Sequence, residues 1–450
     1  MMPDPFVHLH VHSLFSVLDG ICSPRKYVEA CVERKWPALA LTEHGNMASI
    51  PDLYFATREL GIKPLMGSEL YYNDDHLKLM KYNAAGGQIG NLKKSDDFRI
   101  KDLSFRMTRN RHLTILCKNE AGYRSLLHLT RAAWEEGMYY RPRTWFDKLA
   151  QNKDGLIILS GCLNGPISFE LREHLRLMRE YEEDGVLLKK QAAEEHMLKG
   201  IKLFRKFKEV FGDDYYIELQ MPGVVDDEIV FQKLHELAQK THTKEVLTGD
   251  SHYMVREDYS TQKLMMAIDQ GLTVDDKDLF HVNSSEQFFK TREQFRETFN
   301  VKTYHEDCSA ADFERACDNT LEVADKVKPY MLDNEPKYPT VEDAPNILKK
   351  RCLESLKRMG LDSKEYRDRL NLELERIIEK DFASYFLITQ DMTNFSRSRG
   401  FVVGPGRGSA GGCLVAYLLR IVTLNPVVLG LSFDRFLSPS RGGKMLKVTM

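Results

Sequence analysis

Short apolar runs that end in a polar side chain recur through the first 250 positions and predict a strand-rich front part. Phe6-Val7-His8-Leu9-His10-Val11-His12-Ser13 alternates with a period of two, which predicts a strand carrying His8, His10 and His12 on one face and Leu9 and Val11 on the other. Four further runs, 37–44, 63–69, 155–162 and 245–250, each place a candidate ligand at the C-terminal end: His44, Glu69, Cys162 and Asp250. Asp250 and His252 are two apart and share a strand face. His112 differs, because it opens its apolar run instead of closing it. Between the strands, Pro24–Lys35 and Gly122–Trp134 carry helical periodicity, so residues 1 to about 290 read as a β/α alternation.

Two insertions interrupt that alternation. Asn73–Arg106 is polar with Gly86-Gly87 and is expected to be a mobile loop beside the site. Glu170–Lys208 is a charged helical stretch rich in Glu and Lys. Beyond residue 290 helical periodicity takes over at Ala311–Lys328, Asn346–Met359 and Tyr366–Lys380, with Pro329–Pro345 as connector. Leu370, Leu374, Ile377 and Ile378 mark one apolar helix face. The expected domains are therefore 1–290 and 291–450.

The polar ends of the runs form a chemical set. His10, His12, Asp19, His44, Glu69, His112, Cys162, Asp250 and His252 combine imidazole and carboxylate donors that suit zinc, manganese or iron. Mixed nitrogen and oxygen donors around two or more ions activate water against phosphate esters. A hydrogen-bonded polar core would account for one His-x-His. Ligands gathered at the C-terminal ends of several strands are instead how a β/α barrel builds a site.

His-Leu-His-Val-His-Ser (8–13) with Leu18-Asp19-Gly20, Thr42-Glu43-His44-Gly45-Asn46, His112-Leu113-Thr114, Ser160-Gly161-Cys162-Leu163 and Asp250-Ser251-His252-Tyr253 resemble the PHP domain (polymerase and histidinol phosphatase). More narrowly they resemble the version that opens the alpha subunits of bacterial DNA polymerase III. Lys118–Tyr123 and Trp134–Arg143 are similar to that family as well. The resemblance implies a distorted PHP-type β/α barrel with the nine residues above as metal ligands, and Asp19, His112 and Asp250 in catalytic roles. His8 shares the strand face but lies outside that set, and Glu43 stands beside a ligand where the family more often has Asp.

A second motif is Val403-Gly404-Pro405-Gly406-Arg407-Gly408-Ser409-Ala410-Gly411-Gly412-Cys413, followed by the apolar run 414–419. Glycines let backbone N–H groups approach phosphate oxygens, and an arginine beside them adds a bidentate fork. A helix opening at Ser409 would direct its N-terminus to the same anion. The motif lacks the Gly-Lys-Ser/Thr of a P-loop. Its flanks, Phe382–Ile388 and Phe433–Pro439, resemble the start of the palm of C-family replicative polymerases. That implies Gly406, Arg407, Gly408 and Ser409 as the loop for the triphosphate of an incoming dNTP, with magnesium supporting polymerisation in a completed palm. Gly411-Gly412-Cys413 departs from the family's commoner Ala-Gly-Ser. The Asp-x-Asp pair that such a palm needs does not occur in residues 391–450, where the only acidic residues are Asp391 and Asp434. A split gene, an intron or intein, or a truncation would each give such a chain.

Composition agrees with a soluble cytoplasmic protein of more than one domain. Of 450 residues, 42% are hydrophobic and 29% charged. The eight cysteines show no Cys-x-x-Cys spacing, which fits reduced thiols. The stretch 408–419 is the strongest uncharged apolar segment near the C-terminus, too short to span a bilayer. The net charge of −2 does not exclude a DNA enzyme, because metal-binding carboxylates offset basic patches. Candidate patches are Arg106, Arg109 and Arg111; Arg141 and Arg143 beside Tyr139 and Tyr140; and Lys349, Lys350 and Arg351. The implied partners are primer-template DNA, dNTP, a second polypeptide or segment with the rest of the palm, and other replisome subunits. Two functional readings stand: a polymerase fragment whose PHP domain is a metal-dependent 3′–5′ exonuclease, or one whose PHP domain holds metal only for structure. A free-standing PHP phosphatase is a weaker third, which the Gly404–Cys413 loop and its flanks oppose.

Overall fold

A computed structural model describes residues 4–95, 97–224, 226–279, 284–333 and 339–438. The chain forms two compact units, 1–331 and 332–450. The break lies well beyond residue 290, because the helices Arg292–Val301 and Ala310–Lys326 bury their apolar faces in the first unit: Phe295 meets Phe6, and Val323 and Ala324 enter the core between the strands.

Among the described residues the first unit has eight strands: β1 (Ala38–Leu41), β2 (Lys63–Tyr72), β3 (Arg111–Cys117), β4 (Met138–Tyr139), β5 (Arg141–Thr144), β6 (Leu156–Leu159), β7 (Tyr215–Gln220) and β8 (Glu245–Thr248). The sheet order is β4-β5-β2-β3-β6-β7-β8, with β1 parallel to the first half of β2. The extended N-terminal residues close this sheet on itself. His8 and Val11 accept backbone hydrogen bonds from Ala40 within β1 and Thr42 just beyond it, while His12 donates to Ser251, and Ser251 to His10, just past β8. The interior holds Val7, Leu9, Ala38, Ala40, Leu65, Leu116, Ile157, Leu159, Tyr216 and Val246. These are alternate positions of each run, as period-two burial requires.

The expected strand at 6–13 is not a regular ladder. The backbone bends at His10, and Val11 makes only an isolated bridge to Ser251. The bend changes which side chains share a face. His8 leaves the barrel, stacks on Phe289 at 4.0 Å between ring centroids and binds the Lys290 carbonyl through Nε2 (2.8 Å), while His10 and His12 turn inward and meet at 3.0 Å. The three imidazoles therefore do not point the same way.

His112 sits at the start of its run because β3 is antiparallel to both neighbours, β2 and β6. The N-terminal end of an antiparallel strand lies beside the C-terminal ends of its neighbours, and the register Tyr71↔His112 puts His112 there.

The insertion after β2 is not a loop. It forms the helices His76–Ala84, Ile89–Lys93 and Phe98–Thr108, and the second insertion forms the helix pair Pro166–Asp184 and Leu187–Phe211. A buried ion cluster ties the two together: His196 Nδ1 lies 2.5 Å from Glu170 Oε2, its Nε2 lies 3.3 Å from Asp102, and Lys199 bridges Glu170 (3.0 Å) and Asp75 (3.1 Å).

In the second unit, the helices Ala344–Arg358, Lys364–Glu379 and Ala383–Ser398 pack around Leu348, Leu356, Leu370, Leu374, Ile377 and Phe386, with Ile378 half-buried. No described helix is long and apolar enough to cross a membrane.

The ion cluster predicts a pH dependence. Burial works against the charged form of His196, yet hydrogen bonds and charge from Asp102 and Glu170 raise its pKa from 6.5 to about 9. A raised histidine stabilises the fold fully below 6.5, and that contribution is lost as pH climbs through 9. In urea denaturation, the stability gap between wild type and His196→Gln should shrink steadily from pH 6.5 to 9. A gap that stays constant, or widens, refutes the assignment.

Candidate metal centre

All nine predicted ligands meet at one end of the barrel. His10 and His12 come from the bent N-terminal segment, and Asp19 from the turn that follows. His44 follows β1, Glu69 lies in the second half of β2, His112 opens β3, Cys162 follows β6, and Asp250 and His252 follow β8. Three overlapping groups have donor atoms within 4.8 Å of one another: His12, His44 and His252; His10, His12 and Asp250; His44, Glu69 and His112. Glu69 is the hub. Its Oε1 lies 3.4 Å from His10 Nε2 and 3.1 Å from His112 Nδ1, while Oε2 lies 2.5 Å from His44 Nδ1. Asp250 Oδ1 lies 3.3 Å from His10 and 3.2 Å from His12. Asp19 Oδ2 lies 3.0 Å from His44 and 3.5 Å from His252, and Cys162 Sγ is 3.7 Å from His112 Nδ1.

The donor chemistry fits divalent ions. Both Glu69 oxygens, Asp250 Oδ1 and His44 Nδ1 are buried without any hydrogen bond, although each faces other donor atoms of the cluster. Buried polar atoms are nearly always satisfied, so four orphans aimed at a common space fit a site for cations.

Protonation is mixed without a cation: against the effect of burial, nearby carboxylates raise the pKa of His10, His44 and His252, whereas two other donors already hold the form that binds one. Burial, then the neighbouring His44 and His252, push His12 down to about 3, so it keeps its lone pair at neutral pH. Burial disfavours charge on Glu69, but His112, His44 and His10 hold its pKa well below the usual carboxylate range. Burial, Glu69 and Asp250 push the Cys162 thiol up, a tendency that a bound cation reverses.

A supporting layer went unread in the sequence. Glu218 on β7 is fully buried; its Oε1 binds His10 Nδ1 (2.6 Å) and accepts from Thr248 Oγ1 (2.6 Å), and its Oε2 accepts from Gly161 N (3.0 Å) and Thr114 Oγ1 (3.2 Å). Glu43 accepts from Ser13 Oγ and Ser16 Oγ, both at 2.6 Å, and Ser16 Oγ in turn binds His12 Nδ1 (2.9 Å). Such partners fix the ring orientation and tautomer of ligating histidines. The available signal was a lone acid inside an apolar strand, Tyr216-Ile217-Glu218-Leu219. Gly45, at φ +63°, is a related constraint, since a Cβ there would meet the Tyr71 ring at 3.0 Å.

The nucleotide-loop residues belong to the second unit. Gly408–Gly412 is a 3-10 turn, and the helix expected from Ser409 starts at Leu414 and spans only Leu414–Leu418. Its first amides are already taken: Leu414 N and Val415 N donate to the buried Glu373 carboxylate at 3.0 and 2.9 Å, which Arg369 pairs at 2.7 Å. The expected helix-terminus contribution to anion binding is thereby corrected. Cys413 caps this helix by accepting from Ala416 N (3.4 Å), as a serine would. Arg407 and Gly408 lie exposed.

Among the basic patches, Arg111 and Arg143 are buried. Arg111 stacks on Phe169, and Arg143 binds Asn110 and the carbonyls of Met107 and Thr108. Lys349, Lys350, Arg351, Arg109 and Arg141 are exposed or partly so.

Comparison with known proteins identifies the family of each unit. The PHP domain profile matches residues 8–222, and that of the bacterial DNA polymerase III alpha NTPase domain matches 346–444. The DNA polymerase III subunit alpha of Aquifex aeolicus is 31% identical over 98% of this chain and 35% of its own length, and that of Borreliella burgdorferi is 33% identical over 97% and 34%. The chain thus spans about a third of the curated relatives it matches. A solved structure from Bifidobacterium adolescentis, described as a metal-dependent phosphoesterase, is similar at 15% identity over 55% of this chain and 87% of that one, with a TM-score of 0.26.

The cluster predicts about two or three divalent ions per chain and a rise in melting temperature when they bind. Glu218→Gln should weaken metal binding by about 10- to 100-fold in chelator competition, as loss of a ligand-orienting partner does. Elemental analysis of chelator-free protein that finds less than one equivalent would refute the site.

Proposed function

The chain belongs to the DNA polymerase III alpha family through its PHP domain at 8–222 and its alpha NTPase-domain sequence at 346–444, and we propose that it is the N-terminal part of a C-family replicative polymerase whose PHP barrel is a 3′–5′ exonuclease. One observation carries the hydrolytic reading: the nine-ligand cluster is open on one side. His10, His12 and Glu69 are buried, while the side chains of Asp19, His44 and His112 stay 25%, 17% and 22% exposed and line a cavity of about 380 Å³. Structural metal sites are closed, whereas catalytic sites keep a side free for water and substrate. A metal held only for structure gives no reason for that opening.

Ions bound here would supply activated water and charge stabilisation for phosphodiester cleavage; zinc, manganese and iron all suit the donors. The protein's own contribution is to hold them. Glu218 and the Glu43–Ser16 pair orient His10 and His12, and Asp19 and His112 stand at the rim where a phosphate would enter. Asp250, between His10 and His12, completes the catalytic set.

For the second unit, the reading is a palm segment that takes the dNTP triphosphate at Gly406–Ser409. Arg407 and the glycine backbone would do this without help from the helix at Leu414, because Glu373 occupies those amides. Residues 391–450 hold no Asp-x-Asp for the magnesium ions of nucleotidyl transfer, so a further segment or second polypeptide would supply them. DNA, dNTP and replisome subunits are the corresponding partners, in the cytoplasm.

A labelled single strand should shorten from its 3′ end when manganese or zinc is supplied, and His12→Ala or Asp250→Ala should each lower the rate by at least about 100-fold. If wild type and both variants are equally inert with metal demonstrably bound, the metal is structural.

This polypeptide alone should not extend a primer, and extension should appear only when a polypeptide with the remaining palm carboxylates is added. Template-directed incorporation by the isolated chain, abolished by Arg407→Ala, would overturn that view.

A further inference from the structure

The open side of the metal centre has a wall whose features the metal does not require. β4 and β5 form a hairpin in which Met138 pairs with Pro142 and Tyr139 with Arg141, leaving Tyr140 as a one-residue turn. Tyr140 has φ +59° and is 88% exposed. Glycine or asparagine suits such a turn, whereas a bulky aromatic there is strained and leaves its ring in water. Strain of that kind concentrates at ligand-binding positions. Trp134, 55% exposed at the end of the helix Glu120–Glu135, lines the same cavity.

Arg141 stands beside this turn and reaches toward the metal ligands. Its guanidinium lies 5.9 Å from the Tyr71 ring, and Tyr71 in turn stacks on His44 (6.3 Å, 22°) and meets His112 edge-on (5.4 Å, 77°). Arg141 is therefore one aromatic ring away from two ligand imidazoles. It forms no ion pair among the described residues. Arg143, two positions on, has its donors taken by Asn110 and two carbonyls.

We infer that this wall binds the terminal nucleotides of a single strand: Tyr140 and Trp134 stack on bases, and Arg141 grips the phosphodiester next to the one presented to the metal centre. Stacking on aromatic rings is indifferent to sequence but needs an unpaired base, so the wall selects a single-stranded or frayed end over a duplex. An arginine fork matches a phosphate in geometry and charge. Asp269, which also lines the cavity, disfavours a phosphate at its own position. The position of the scissile bond rests on the exonuclease reading; the binding of the strand does not.

The probe is an eight-nucleotide single strand with 2-aminopurine at its 3′ end and a terminal phosphorothioate linkage to resist cleavage, titrated with the full chain. Binding should quench the 2-aminopurine. Tyr140→Ala should remove most of the quench and weaken affinity by about tenfold, while Tyr140→Phe retains both. Arg141→Gln should weaken binding, lower the salt slope by about one and leave the quench in place. In hydrolysis of the unmodified strand, both loss variants should raise KM with little change in kcat. Quenched binding by a wild type that proves inert as a nuclease supports the subsite and defeats the hydrolytic reading alone. Normal hydrolysis with unchanged quench and KM in Tyr140→Ala and Arg141→Gln overturns the subsite alone, as does equal affinity for a blunt duplex.

Discussion

Lone pairs and negative charge from nine side chains share one buried volume here, and positive charge, from protons or a bound cation, has to offset them. At the rim of this barrel Glu69 and Asp250 face five imidazoles at 2.5 to 3.8 Å, and four of the donor atoms involved have no hydrogen bond. The surrounding construction follows from that constraint. The backbone bend at His10 brings two histidines inward, the antiparallel run of β3 brings His112 to the same end, and Glu218 and Glu43 are buried because they orient ligands. An unpaired buried carboxylate costs several kcal/mol, so these two acids persist only through their hydrogen bonds.

The barrel makes such a site affordable by keeping its two ends chemically separate. Aliphatic side chains from alternate positions fill one end, sealed by Val323, Ala324 and Val327 at the close of the helix Ala310–Lys326. Thr114, Gln220 and Thr248 form a polar layer between that core and the ligands, where they satisfy Glu218. The helical insertions are braced by their own charges around His196, and the hairpin at Tyr140 leaves the open side of the centre accessible.

In the second unit the decisive group is also a buried acid. Glu373 binds two helix amides, Arg369 and the Cys413 thiol, and so joins the helix Lys364–Glu379 to the short helix at Leu414. The same contact fixes where that helix begins and removes its N-terminus from any role in holding a nucleotide. The glycine-rich turn ahead of it stays at the surface with Arg407 exposed.

Sequence alone determined the candidate ligand types and most of their places along the chain, because strand alternation and strand ends are local properties: His-x-His, Asp-x-His and acids or thiols closing apolar runs are legible without partners. The helices Ala310–Lys326, Ala344–Arg358 and Lys364–Glu379 were legible for the same reason, through their apolar periodicity, whereas Ala383–Ser398 was not. Tertiary structure decided what depends on distant contacts. His8 was separated from His10 by a bend whose partners are Ser251 and Phe289, and Glu218 became a support for His10 across 208 positions. Arg143 was diverted into the core by carbonyls of residues 107 and 108, while Arg141, two positions earlier, stayed exposed over the Tyr71 ring. The helix start moved from Ser409 to Leu414 because a carboxylate 41 residues upstream claims its amides. In each case the local pattern set which chemistry was available, and the closing of the chain on itself selected which groups could reach one another.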